Sequence, residues 1–287
     1  MAKQQHQHHT LTEQHTTLAL FSDTIITSRN NPKIKQLRTL LKRPERERTG
    51  LALIEGLCQV IEALQQPGRV CQLIVAPDVL KSQQAWELVE AYKQQGLPWL
   101  YVSADVLECL SLKYAQQGIV AVIPQRWESL KELRLSTGDY WVALEAIQDP
   151  GNLGTILRTC DATGCRGLFL LDHAADPYDP VALRASRGAI LSRRLVKASF
   201  QDFVDWKRLH HYPVIGTSDA AAVHYRQVGY PSPAILLMGS ERQGLSQEQQ
   251  AACDLVVSIP MRGNSDSLNV AVATAVVLYE AIQEDTY

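Results

Sequence analysis

From residue 140 onward the chain alternates short β-rich apolar runs with helical stretches, and this alternation restricts the fold more than any single motif does. The runs are Tyr140 to Glu145, Gly167 to Leu171, Leu195 to Ala198, Val214 to Thr217, Ala234 to Met238 and Leu255 to Ile259, with a last helix expected from Ser267 to Gln283. Such a pattern predicts an α/β fold with a mostly parallel sheet covered on both faces. Ligands of these sheets sit outside the carboxyl ends of the strands, so function is sought in the segments that follow each run.

The front half alternates as well. Leu51 to Ile54, Val70 to Ala76, Trp99 to Val102 and Ile119 to Ile123 read as strands, separated by helical stretches at Gln59 to Gln65, Gln83 to Gln94 and Ala104 to Cys109. Together they predict a small α/β domain. A chain of 287 residues, 46% hydrophobic, favours two such domains over one. The expected division is a disordered tail over 1–22, a first domain over 23–124, a linker or connecting helix over the polar stretch 125–138, and a second domain over 139–287. His6, His8 and His9 lie in the tail with no Cys nearby, and no metal is expected. Six cysteines without CxxC spacing read as reduced thiols. No apolar run is long enough to cross a bilayer, and the apolar core of a signal peptide is missing, so a cytoplasmic protein without membrane contact is expected.

A net charge of −2 excludes a uniformly basic nucleic-acid coat. Between Arg29 and Arg48, however, eight Lys or Arg residues face only Glu45 and Glu47. Ile34, Leu37, Leu40 and Leu41 follow helical spacing from Asn31, with Pro32 at the start and the bases on the other face. A solvated helix face explains such a pattern, and so does RNA contact through Arg29, Lys33, Lys35, Arg38, Lys42 and Arg43; the one-sided charge favours RNA.

Three segments at strand ends carry the chemistry. In the first, strand gives way to a Pro150-Gly151 turn and a helix begins near Asn152, a favoured cap type, with Arg158 six residues on. In the second, the strand ending at Met238 runs into a turn bracketed by Gly239 and Gly244, where glycine permits close backbone approach. In the third, the loop from Ile259 leads through Met261 to Ser267, Leu268 and Asn269. Ser267 is placed to cap the last helix and Asn269 to present an amide from its first turn. The chain has no GxGxxG and no phosphate loop, which argues against a dinucleotide fold or a nucleoside triphosphatase.

The order N-x-G-x-x-x-R, then M-G-S-E-x-x-G-L, then I-P-M-x-G-x-x-x-S-L-N-V-x-x-A resembles the three signature motifs of the SpoU (TrmH-like) family of RNA ribose 2′-O-methyltransferases, in the SPOUT superfamily. The resemblance spans about residues 140 to 284. Asn31 to Arg38, Leu53 to Gly56 and Gln117 to Val122 are similar to the ribosomal-protein-like substrate domain that precedes the catalytic domain in many members. The resemblance implies a deep trefoil knot in the C-terminal domain, S-adenosylmethionine as cofactor, RNA and not DNA as substrate, and a homodimer through the knotted region. It further implies that Gly239, Ile259 and Leu268 hold the adenosine moiety and that Met238, Glu241 and Met261 shape the pocket. By the same resemblance Arg158 is the catalytic arginine, Asn152 orients it or the ribose, Ser267 and Asn269 complete the site, and Glu241 fixes the loops. The separate N-terminal domain favours rRNA over tRNA as target. Arg184 to Ala189 resembles the family's R-x-S-x-G-A stretch; with Arg187, Arg193 and Arg194 it either extends a phosphate track or forms a solvated loop.

Overall fold

The computed structural model describes residues 22–111 and 117–283, and the chain divides into two units, Met1–Gln125 and Arg126–Tyr287. The tail expected over 1–22, with its histidines, lies outside the described residues except for Ser22, which opens a strand.

In the first unit, β1 (Ser22–Ile26), β2 (Leu51–Glu55), β3 (Gln72–Val75), β4 (Trp99–Val102) and β5 (Ile119–Pro124) form one sheet in the order β1-β4-β3-β5-β2. The strands β1, β4 and β3 run parallel, while β5 is antiparallel to both of its neighbours. Helix α1 (Pro32–Thr39) starts as expected: the Asn31 side chain accepts the Lys33 N–H at 2.9 Å and Pro32 takes the first helical position. Its apolar stripe, Ile34 and Leu37, is buried with Leu100, Val102, Val106 and Leu107. The helix stops after Thr39, and α2 (Arg43–Thr49) follows with a proline in its first turn. Helices α3 (Leu57–Leu64), α4 (Gln83–Gln94) and α5 (Ala104–Glu108) complete the unit.

The second unit holds β6 (Tyr140–Glu145), β7 (Gly167–Leu171), β8 (Arg194–Ala198), β9 (Val214–Thr217), β10 (Val223–His224), β11 (Ala234–Met238) and β12 (Leu255–Ser258). Their order is β10-β12-β9-β11-β6-β7-β8, and every adjacent pair is parallel. Between them run α6 (Pro150–Ala162), α7 (Pro180–Ser186), α8 (Phe200–His210), α9 (Gln247–Ala251) and, at the end, α10 (Val270–Gln283). Strands β6, β7 and β8 step one way across the sheet, whereas β11 and β9 lie on the other side of β6. Winding therefore reverses where β6 meets β11, the place at which an open parallel sheet leaves a crevice. Trp141, Phe169, Phe203 and Trp206 pack one core, with Phe169 centred 5.0 to 5.3 Å from the other three rings.

The stretch 125–138 departs from the linker or helix expected of it. Beyond one turn at Ser129 to Leu133 it has no helix, and Glu128 forms a parallel bridge with Val196 while its carboxylate accepts an Arg194 N–H at 2.6 Å. Leu133 and Leu135 are buried in the Phe203–Trp206 core. Three leucines on a polar background, Leu130, Leu133 and Leu135, tie this stretch to the second unit, because leaving them in water would forgo roughly 1.5 kcal/mol or more for each one fully buried.

Candidate active site

Asp149 and Pro150 set the first strand-end segment. The Asp149 carboxylate accepts the Asn152 N–H at 2.8 Å and Pro150 occupies the first turn, so Asp149 caps α6. Asn152, expected near the cap, lies inside the first turn with its side chain available for other contacts. Between strand and helix, Ala146 turns left-handed at φ 50°. An L residue adopts that conformation at a cost of roughly 1–2 kcal/mol, and here the Gln148 amide donating to the Ala146 and His173 carbonyls, at 3.1 and 2.9 Å, holds the turn.

The second segment is a tight loop. Ser240 and Gly244 exchange backbone hydrogen bonds of 3.2 and 3.0 Å, which brings Gly239 so close to Gly244 that a Cβ would stand 2.1 Å from its carbonyl carbon. Glycine is required at 239 by sterics, not by backbone angle. The loop carries Glu241 back to the end of β6, where its carboxylate accepts the N–H groups of Gln148 and Asp149, both at 3.2 Å, and the Asn152 amide at 3.4 Å. Desolvation pulls the Glu241 carboxyl upward, but these donors outweigh it and hold the group below the usual carboxylate range. Met238, at the end of β11, is buried and accepts the Thr217 hydroxyl at 3.7 Å.

In the third segment the cap is Asn269 and not Ser267, because Asn269 Oδ1 accepts the N–H groups of Ala271 at 2.9 Å and Val272 at 3.4 Å, and α10 begins at Val270. The same side chain donates through Nδ2 to Asn152 Oδ1 at 2.9 Å. Glu241, Asn152 and Asn269 thus form one hydrogen-bonded chain across all three segments. Ser267 is exposed and makes no hydrogen bond with a described residue. Arg158 is exposed on α6, six residues beyond Asn152, and has no ion pair among the described residues. Ile259, Met261 and Leu268 are half-buried, and no backbone group of residues 259–268 bonds to another backbone group among the described residues.

Sequence reasoning missed a buried carboxyl at the same strand ends. Glu145 closes β6 at 7% exposure with Oε2 unsatisfied, and burial, followed by the charge and hydrogen bond of Asp172, pushes its carboxyl up to about 7. A carboxylate ending an otherwise apolar run was the available signal.

The basic segment of the first unit is less open than its charge count implies. The Arg29 guanidinium is paired with Asp105, at 2.8 Å through Nε, and with Glu108. Arg43 pairs with Glu47 at 2.9 Å and Arg48 with Glu45. Arg46 is 1% exposed and donates to the Leu40 carbonyl. The side chains of Lys33, Lys35 and Lys42 have no partner among the described residues, and Arg38 lies close enough to Cys109 for its charge to act on that thiol. Arg193 and Arg194 are engaged too, by Asp161 and Glu128. All six cysteines are free, and among the described residues no helix is long and apolar enough to cross a membrane.

Residues 139–279 match the SpoU rRNA Methylase family, and residues 31–121 match an MRM3-like substrate binding domain. The chain is 32% identical to a 23S rRNA (uridine(2479)-2'-O)-methyltransferase of Streptomyces viridochromogenes, over 90% of this chain and 92% of that one. It is 30% identical to the 23S rRNA (guanosine(2553)-2'-O)-methyltransferase RlmP of Bacillus subtilis, over 88% and 97%. The crystal structure of an AdoMet-bound rRNA methyltransferase from Sinorhizobium meliloti superposes with a TM-score of 0.84 at 32% identity, covering 91% of this chain and 98% of that one.

Proposed function

Because this chain belongs to the SpoU rRNA methylase family, we propose that it transfers a methyl group from S-adenosylmethionine to a ribose 2′-hydroxyl of structured RNA, with rRNA ahead of tRNA as target. The observation that carries this reading is the chain of hydrogen bonds from Glu241 through Asn152 to Asn269, at the point where the parallel sheet reverses its winding.

S-adenosylmethionine supplies a methyl group on a sulfonium. Gly239 after β11, and Ile259 and Leu268 after β12, would hold its adenosine part, in a pocket shaped by Met238 at the end of β11 and by Met261. The unpaired backbone groups of 259–268 suit that ligand, since an adenine edge needs matched donors and acceptors. A ribose hydroxyl ionises reluctantly, so the protein contributes position and charge. Arg158 grips the phosphate beside the target ribose and stabilises the developing alkoxide; a guanidinium offers donors and no acceptor, so it acts as a clamp and not as a base. Asn152, fixed between Glu241 and Asn269, orients Arg158 or the ribose, and Ser267 completes the site with Asn269. Ionised Glu241 holds the Gln148–Asp149 turn in place. The 2′-hydroxyl requirement excludes DNA.

Residues 23–124 would bind RNA through Lys33, Lys35, Arg38 and Lys42, and residues 139–287 would carry the family's trefoil knot. A homodimer through this second domain is supported by Val272 and Tyr279, seven residues apart on one stripe of α10 and 49% and 47% exposed, apolar surface that a second copy would cover. Its RNA substrate would place the protein in the cytoplasm. Calorimetry with S-adenosylmethionine, followed by transfer of a labelled methyl to total rRNA and total tRNA, tests the reading. Transfer to rRNA is expected; cofactor binding without transfer to either pool would leave a non-catalytic RNA-binding or ribosome-assembly protein in its place.

A further inference from the structure

Helices α6 and α7 pack at a separation that only small residues allow. A Cβ on Gly154 would lie 2.4 Å from the Ala182 carbonyl oxygen and 2.6 Å from the Ala185 Cβ, and one on Gly151 would touch Val181. Further along, the Ser192 hydroxyl bonds Asp161 at 2.8 Å. Gly154, Arg158 and Asp161 follow each other at helical spacing on one stripe of α6. The stretch from Ala185 to Ser192 therefore runs beside the stretch from Gly154 to Asp161, and the turn at Arg187–Gly188 falls at the level of Arg158.

That turn is unusual in its choice of residue. Arg187 ends α7 in the left-handed conformation, φ 50° and ψ 37°, at a position where glycine would be free of strain, and Gly188 follows at φ 100°. Its side chain is exposed and has no ion pair or hydrogen bond with a described residue, as is also true of Arg158. The acid on this stripe, Asp161, is taken by Ser192 and by Arg193, which also donates to the Cys165 carbonyl. Two guanidinium-bearing segments therefore run side by side with neither guanidinium ion-paired among the described residues, an arrangement that an anion would relieve.

We propose that Arg187, presented by this left-handed turn, binds a phosphodiester of the RNA strand adjacent to the one held at Arg158, and so sets the register in which the target ribose meets the methyl donor. The inference rests on the RNA methyltransferase reading and deepens it. Arg187 is a positioning residue: it acts on the strand and not on the reacting oxygen.

The test uses the full chain and a 23S rRNA transcript, with binding measured across a salt series and methyl transfer measured separately. Arg187→Gly removes the cation and relieves the backbone, so its melting temperature should equal or exceed that of the parent. Its RNA affinity should fall by about three- to tenfold at low salt, with the slope of log affinity against log salt shallower by about 0.7–0.9, as for loss of one phosphate contact. KM for RNA should rise and kcat should fall, with S-adenosylmethionine affinity unchanged. Arg187→Lys should recover most of the slope. Unchanged affinity and slope in the glycine variant would overturn this proposal while parent activity stood; a parent that methylates no RNA would overturn the broader reading instead.

Discussion

The two units use polar side chains in opposite ways. In the first, three arginines of α2 and of the segment before α1 meet acids, Arg29 with Asp105 and Glu108, Arg43 with Glu47 and Arg48 with Glu45, while Lys33, Lys35 and Lys42 stay open among the described residues. In the second, polar groups from three distant segments meet each other at strand ends, and Arg158 has no acid partner among the described residues. Exposed ion pairs contribute little and exchange easily with solvent, whereas a hydrogen-bonded chain fixes orientation. A surface of the first kind suits loose grip on a long polyanion; one of the second kind suits chemistry at a single atom.

The sharpest break in this contrast would come from Arg158→Ala. Methyl transfer should fall by at least about a hundredfold, as when a charge-stabilising donor is lost, while S-adenosylmethionine affinity measured by calorimetry stays within about tenfold. A fully active variant would remove the argument for the open guanidinium. Gly239→Ala comes next. Its methyl group meets the Gly244 backbone, so the loop must move, with an expected loss of about 1–3 kcal/mol in thermal or denaturant unfolding and weakened cofactor binding.

Within the first unit, Lys35→Ala and Lys42→Ala should each weaken rRNA binding severalfold at low salt, with the difference shrinking as salt rises. Arg29→Ala should change the same affinity by less than about twofold, since that cation already has partners. Equal effects at Arg29 and Lys35 would erase the distinction between paired and open bases.

A further effect concerns pH. Glu145 has a folded pKa of about 7, above its unfolded value near 4.3, so the folded state binds the extra proton between the two. Its stabilising contribution is present below about pH 4.3 and is lost as pH rises through 7, with a slope of at most about 1.4 kcal/mol per unit. Glu145→Gln should flatten unfolding stability over this window; an unchanged profile would show that the proton is held elsewhere.

The same contrast explains what could be read from the amino acids alone. Strands such as Ala234–Met238 and Gly167–Leu171 are apolar throughout and bounded by turn formers, so their limits were legible to the residue. β1 and β10 were not, because they lie at sheet edges and owe their existence to partners far along the chain, Val102 for Ile26 and Ser258 for His224. The motif residues Asn152, Glu241 and Asn269 came together because each is tied to a strand end whose place the fold dictates. Counting charges along α1 and α2 could not reveal that Arg29 meets an aspartate 76 residues away or that Arg46 is buried. Two capping residues were misassigned for a local reason: Asp149 and Asn152, like Ser267 and Asn269, are all good cap formers, and spacing does not rank them.

Asn269 starts the final helix with one end of its amide and secures Asn152 with the other. Fraying of that helix end on warming would therefore also unseat the assembled centre. Heat would silence turnover at temperatures where the bulk of the molecule, by circular dichroism, is still intact.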